Sequence, residues 1–420
     1  MRLLAPFRMP GFAVLWSGLS LSVIGDQLFA VVFSWIAIKA FGGNAGYILA
    51  LQSLTLFCAT VAIGHWADTR DQRHCMIAAD IARAVVLLFV VIMWSVADEP
   101  SPWLLIVALI GLGVGEAAFR PALQGVIPEL IPEKPLLPAA NGLLDATGRA
   151  ARFIGPAMIG PLTTVLPIRH VLSVDAASFM LSALAVLSLG GLEAAGAARR
   201  APRPRRKDSF LGGVARGFRA TRCHPPLHYT LATYGLLNAA WNTVYYLALP
   251  MLIMSRDVKG PGDTGLGALG IIIAVYGASN LLSTLVFGAR TLPHRPQWPI
   301  FGGSIVIGTG LLLLAPVGLL PDPWLLPAYV CVAAMTAIGG PMKDIPFAVL
   351  RQTCLAPEDI PAAMRAYLII HSTGMFLGWM LMPALIAAIG ATGVVILCGL
   401  ATAGVGLIGM ALYADWTAPA

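Results

Sequence analysis

The run GHWADTRDQRH, from Gly64 to His74, is dense in polar and charged residues and lies between two long apolar segments, 46–63 before it and 75–96 after it. A soluble protein could bury neither flank. A simple membrane anchor has no use for the charged run. A short, charge-bearing turn between two spanning helices is what a protein needs when its helices must move within the bilayer.

The rest of the chain agrees. Its 420 residues are 58% hydrophobic and 11% charged, where soluble domains carry roughly 25% charged residues. Mean hydropathy is strongly positive. The apolar runs are continuous over the roughly 20 residues a spanning helix needs, without the alternation of barrel strands. Twelve such segments are expected, at 11–39, 46–66, 75–97, 102–122, 140–166, 170–192, 227–254, 266–290, 299–320, 323–346, 361–389 and 391–414. The fold class is therefore an all-α membrane protein with twelve transmembrane helices in two six-helix bundles. The domains are an N-terminal bundle (1–192), a basic cytoplasmic linker (193–226) and a C-terminal bundle (227–420). The first apolar segment is too long for a signal-peptide core and is expected to stay as the first helix.

The net charge of +7 is unevenly placed: nine of the 27 basic residues fall between Arg199 and Arg222. Clustering of this kind follows the positive-inside rule, and with no nucleic-acid-binding signature beside it no nucleic-acid partner is expected. With both termini in the cytoplasm, Arg70, Arg73, Lys134, the central loop, Arg290, Arg295 and Arg351 lie inside, leaving chiefly Arg169, Arg256 and Lys259 outside. Within the linker, Phe210, Val214 and Phe218 recur every four residues while Arg216, Arg219 and Arg222 face elsewhere, the pattern of an interfacial amphipathic helix. A solvated loop is the plainer alternative. The six cysteines form no CxxC pair, so neither a metal site nor a disulfide framework is indicated. No GxxxxGK[ST] loop, HExxH pair or nucleophile–base set is present, which argues against ATP use and against an enzyme.

The halves echo each other. Leu137-Pro-Ala-Ala140 recurs as Ile360-Pro-Ala-Ala363, each just after a Pro-Glu pair; Arg120-Pro121 corresponds to Gly340-Pro341, and Gly64 to Gly288, at a near-constant offset. Duplicated six-helix halves with a site at their interface are a transporter architecture.

Two motifs carry a family resemblance. Gly64-x-x-x-Asp68 followed by Arg70 and Arg73 resembles the loop between helices two and three of the major facilitator superfamily, with Thr69, Asp71 and Gln72 departing from the usual pattern. Gly64 permits close helix contact, Asp68 can face a helix N-terminus, and the arginines can pair with acidic groups, so the cluster can latch the cytoplasmic side. Gly142, Gly155-Pro156 and Gly160 match the spacing of the motif typical of that superfamily's antiporters, with Ala151 and Ile159 in place of two glycines. A purely structural small-residue interface is the plainer reading. The stretch 119–162 and GFRATRCHPPL (217–227) are similar to the branch of bacterial siderophore and macrolide exporters called transmembrane secretion effectors. The resemblance spans essentially the whole chain. It implies the major facilitator fold and a multi-pass monomer in the bacterial cytoplasmic (inner) membrane, with lipid and a small amphipathic organic substrate as its partners.

Ionisable residues inside spans cost roughly 2.5–3.5 kcal/mol each on insertion scales and are functional by default. Asp26 lies well inside the first helix. The resemblance implies a proton-carrying role for it, because acidic residues on this helix carry protons in some multidrug exporters; a local helix contact is the alternative. Glu116, four residues before Arg120, can pair with it on one helix face and is a second candidate for proton coupling. Asp145, Arg149 and Arg152 form a similar ladder, and Asp175, Lys343 and Asp344 are weaker candidates. Asn238, Trp241, Asn242 and Tyr245 share one face of the seventh helix, and Phe29 and Phe33 share the Asp26 face of the first. With Arg120 they are the expected lining of a substrate cavity, although aromatics at such spacing often simply pack. The function expected is export of a drug, siderophore or other secondary metabolite by proton antiport, with no cofactor but the proton gradient. A metabolite uniporter or importer of the same fold is the alternative, and a non-transporting sensor a more distant one.

Overall fold

The computed structural model describes residues 2–67, 71–97, 101–131, 133, 136–189, 210–262, 264–289, 294–356 and 359–417. Among these no strand forms; a single isolated bridge joins Gly260 to Thr264. The helices are α1 (Pro10–Phe41), α2 (Ala45–Ala67), α3 (Gln72–Ala97), α4 (Pro102–Leu130), α5 (Leu137–Ala157), α6 (Ile159–Val165) and α7 (Ile168–Ser188). They continue as α8 (Phe210–Thr221), α9 (Pro225–Thr243), α10 (Leu249–Ser255), α11 (Gly265–Gly288), α12 (Gln297–Val317), α13 (Asp322–Thr353) and α14 (Ile360–Tyr413). Two compact units emerge, Met1–Phe41 with Leu51–Pro202, and Gly42–Ala50 with Arg203–Ala420.

Nine helical stretches among the described residues are long and apolar enough to cross a membrane, against the twelve expected. The difference has physical causes. Pro10–Ala59 and Ala362–Tyr413 run 50 and 52 residues, far beyond one crossing. Each is interrupted, the first by a 3-10 turn at Gly42–Asn44 and the second at Gly390, whose φ of 71° is open to glycine without a Cβ clash. The segment 140–166, expected as one helix, breaks at Met158 into α5 and α6. Pro161 has no N–H to donate to the Ala157 carbonyl, and Asp145, Arg149 and Arg152 keep α5 from reading as apolar. The segment 227–254 is likewise composite. Five residues, Val244–Ala248, widen into a π-helix between α9 and α10, just before Pro250, which cannot donate to Tyr246.

In the first unit α1 packs on α7 and α5, and α3 on α7 and α4. Phe12, Leu15, Met76, Val126 and Ile127 are buried together at one end of this bundle. In the second unit α12 packs on α13 and α14, α14 on α9, and α11 on α13. Two crossings are glycine to glycine, Gly235 with Gly374 and Gly303 with Gly339, and a Cβ on any of the four would collide with the facing backbone. Such contact suits helices in lipid, where close van der Waals packing substitutes for hydrophobic exclusion.

The amphipathic segment forms α8, which lies on α14. Val214 and Phe218 pack beside the core formed by Leu227, Leu231 and Ala363. Arg219 and Arg222 are exposed. Arg216, expected to face away, is instead half-buried and donates from Nε to Asp359 Oδ1 at 2.9 Å.

Candidate functional site

Several charged residues of the first unit gather around one arginine that the sequence reading overlooked. Arg83 stands in the middle of α3 with its side chain 4% exposed. One helical turn earlier, fully buried Asp80 accepts a short hydrogen bond from Arg83 Nη2. Arg83 Nη1 lies 4.0 Å from Asp26 Oδ1 on α1. The guanidinium also sits over two aromatic faces, with its Cζ 4.1 Å from the Phe179 centroid and 4.8 Å from that of Phe119. Cation–π contact of this kind strengthens when water is excluded.

Each neighbour is placed by a small residue. Gly115 of α4 leaves room for the Arg83 stem, whose Cγ and Cδ occupy the space a Cβ there would take. Gly25 brings α1 against α7 at Asp175 and Ser178. Asp175 is buried, and its Oδ1 accepts from Ser178 Oγ at 3.2 Å. Its Oδ2 has no hydrogen-bond partner among the described residues. Three carboxylates on α1, α3 and α7 thus gather around one cation. Asp26 differs from the other two: its side chain is 42% exposed, whereas Asp80 and Asp175 are buried. One cation cannot neutralise three carboxylates at once.

Glu116 and Arg120 pair as their spacing implies, with Arg120 Nε donating to Glu116 Oε1 at 2.7 Å and Nη2 at 2.6 Å from the same oxygen. Arg120 is 75% exposed. Gly155 brings α5 against α1 beside Asp26; a Cβ there would meet the Ile24 carbonyl oxygen at 2.8 Å and the Leu28 nitrogen at 3.0 Å. Pro156 and Gly160 are buried on either side of the break at Met158. Gly142 is different, since a Cβ on it meets nothing within 4 Å. The close helix contact expected of all three glycines is therefore made at Gly155 and not at Gly142. Replacing Gly155 by leucine is expected to destabilise by about 1–3 kcal/mol through overpacking. Gly142→Leu is expected to stay within about 0.5 kcal/mol. Unfolding midpoints of the two purified variants in detergent check this, and equal shifts would contradict it.

Of the loop cluster, Asp68 and Arg70 lie outside the described residues, as does the packing around Gly64. Arg73 is described and half-buried. Asp71 caps α3. Slight burial works against its charge, yet the backbone N–H groups of His74 and Arg73 donate to Oδ1 at 3.3 and 2.9 Å and hold its carboxyl below the ordinary range.

The expected cavity lining is only partly available. Phe29 and Phe33 are buried and stack on each other, centroids 5.3 Å apart, so they act as packing residues rather than open walls. Asn238 and Asn242 donate their amides to the carbonyls of Tyr234 and Asn238, both at 3.0 Å. Trp241 stacks on Tyr245 at 5.2 Å, and both meet Tyr276, at 5.2 and 4.9 Å. Tyr245 is fully buried within the π-helical turn, and the indole Nε1 of Trp241 is buried with no hydrogen-bond partner among the described residues. Also among these residues, no three His, Cys, Asp or Glu side chains gather closely enough to hold a metal ion.

The family model described as Major Facilitator Superfamily matches residues 15–350. The chain belongs to the major facilitator superfamily. Among its relatives is an uncharacterized MFS-type transporter, YfiS, of Bacillus subtilis, 24% identical over 361 residues covering 83% of this chain and 80% of that one. Macrolide efflux protein A of Streptococcus pyogenes is 25% identical over 181 residues, 42% of this chain and 43% of that one. The fold matches that of a bacterial homologue of the iron transporter ferroportin, with a TM-score of 0.70 at 14% identity over 95% of this chain and 98% of that one. It also matches a POT family transporter, with a TM-score of 0.69 at 14% identity over 96% of each. As a major facilitator protein the chain is a multi-pass membrane transporter rather than an enzyme, and the charge cluster around Arg83 lies within its helices.

Proposed function

We propose that this chain exports small amphipathic organic molecules from the cytoplasm in exchange for protons, with Asp26 as the group that takes up and releases the proton. The observation that carries this reading is the position of Asp26. Its side chain is partly exposed and lies within 4.0 Å of a buried arginine that is already engaged by Asp80. When Asp26 is charged it competes for Arg83; when protonated it leaves Arg83 to Asp80. Protonation therefore changes how strongly α1 is held to α3, which is what coupling a proton to helix movement requires. Glu116, paired with Arg120 one helix away, is a second acidic group for the same exchange. The likeness to macrolide efflux proteins supports the outward direction, and macrolides are the first substrates to try. The setting proposed is a monomer in a bacterial cytoplasmic membrane, both termini inside, with the proton gradient as its energy source.

Everted membrane vesicles from cells making this protein provide the test, with labelled erythromycin and a panel of cationic and anionic dyes as probes. At least one probe is expected to accumulate inside energised vesicles, and an uncoupler is expected to abolish the accumulation. Uncoupler-resistant accumulation, or no movement of any probe, contradicts the proposal.

A further inference from the structure

The second unit holds its own buried charge, and it has a different design. Lys343 of α13 has a side chain only 4% exposed, in a span where an ammonium group is costly. Two features keep it there. Its Nζ lies 3.0 Å from Asp344 Oδ1 and 4.4 Å from the centre of the Tyr234 ring on α9. The hydroxyls around it form a donor chain that ends on the same carboxylate: Tyr367 of α14 donates to Tyr234 at 2.9 Å, and Tyr234 donates to Asp344 Oδ1 at 3.5 Å. A second cation, Arg351, stacks over Tyr367 at 4.9 Å and Phe347 at 5.3 Å, with Nη1 buried and unpartnered among the described residues. His371 stacks on Tyr367 at 6.4 Å. Cations outnumber carboxylates two to one, and the donors converge on one acceptor.

That acceptor differs from the lysine in its exposure. Asp344 is 43% exposed while its partner Lys343 is buried. A buried lysine needs a counter-ion at all times, because an uncompensated buried charge is strongly destabilising. An exposed aspartate, by contrast, can turn into water at little cost. The asymmetry makes the lysine the permanent element and the aspartate an exchangeable occupant.

We propose that Lys343, with the Tyr234 and Tyr367 hydroxyls, binds the acid group of an anionic aromatic or unsaturated substrate, and that Asp344 is a tethered stand-in covering the lysine when the site is empty. An incoming carboxylate takes the place of Asp344 on Nζ and on the tyrosine hydroxyl, with Arg351 adding positive potential and the Tyr234, Phe347 and Tyr367 rings an apolar wall. This rests on the reading of the chain as a transporter of small organic molecules, and it adds to that reading a class of substrates carrying one acid group. Binding is measured without any proton gradient, so the two readings fail separately.

The experiment uses the purified full-length protein in detergent and isothermal titration calorimetry with three probes of one shape: 1-naphthoate, 1-naphthylmethylamine and 1-naphthalenemethanol. Naphthoate is expected to bind at least about tenfold tighter than the other two. Lys343→Gln is expected to erase that preference. The sign of the Asp344→Asn effect is the sharpest readout: removing the internal competitor is expected to tighten naphthoate binding by about three- to tenfold. A site built for cations predicts the reverse, with the amine preferred and lost on Asp344→Asn. Preference for the amine, equal binding of the three, failure of naphthoate to bind, or weaker naphthoate binding by Asp344→Asn each overturns the proposal. The wild-type preference among the three probes stands even where Lys343→Gln or Asp344→Asn does not fold.

Discussion

Arg83→Leu is expected to destabilise the protein by about 3–5 kcal/mol, the range for breaking a buried ion pair from one side. The substitution leaves Asp80 fully buried without its cation and removes the charge stacked between Phe119 and Phe179. The leucine is smaller than the arginine and introduces no clash, so the loss is chiefly electrostatic. The double variant Asp80→Asn/Arg83→Leu removes both charges and is expected to recover much of the loss, since exchanging a whole buried pair for uncharged groups is often close to neutral. Arg83→Lys keeps the charge but not the planar fork that reaches both Asp80 and Asp26, and is expected to fall between. Unfolding midpoints in detergent measure all three. Asp80→Asn alone completes the cycle, and additive effects of the two single substitutions in the double variant would show that Asp80 and Arg83 do not depend on each other.

The second large effect is on transport. Asp26→Asn keeps the shape of the side chain and removes both its charge and its proton. Folding is expected to survive, because Arg83 retains Asp80 and Asp26 is 42% exposed. Coupling is expected to be lost. A pH gradient of one unit is worth about 1.4 kcal/mol per proton, which supports about tenfold accumulation of a substrate exchanged one for one. In everted vesicles the variant is expected to forfeit that accumulation while still equilibrating substrate down its gradient. If it concentrates a probe as well as the wild type does, Asp26 is not the proton carrier, and Glu116 becomes the group to replace next.

How far the sequence was legible depended on whether a residue declared itself against its background. The all-helical architecture followed from continuous apolar runs, and α8 followed from Val214 and Phe218 recurring beside arginines. Glu116 and Arg120 stood out as an i, i+4 pair and are bonded in the structure. Asp80 and Arg83 are spaced almost as tellingly, at i, i+3, yet they sit inside the run after the charged turn, where the surrounding valines and leucines read as a lipid-facing flank. An aspartate and an arginine one turn apart in a span, each costly alone, were the available signal. For Phe29 and Phe33 the spacing leaves packing and cavity lining both open. Helical spacing places two rings on one face but cannot tell a face turned to a cavity from one buried against a neighbour. Gly142 and Gly155 are equivalent as letters in a motif; only the position of α1 separates the one in contact from the one in open space.

The π-helical turn at Val244–Ala248 has a consequence for every face assigned along that span. Its backbone bonds reach one residue further than those of an α-helix, so the segment stores a residue that regular winding would not need. A stripe projected at constant rotation from Asn238 is sound through Thr243 and then slips. Side chains from Tyr245 onward point away from where such a wheel draws them, and the later stretch Leu249–Ser255 is out of phase with the earlier one by that stored residue. The span is better thought of as two short helices with an expansion joint between them, and Tyr245 belongs to the joint.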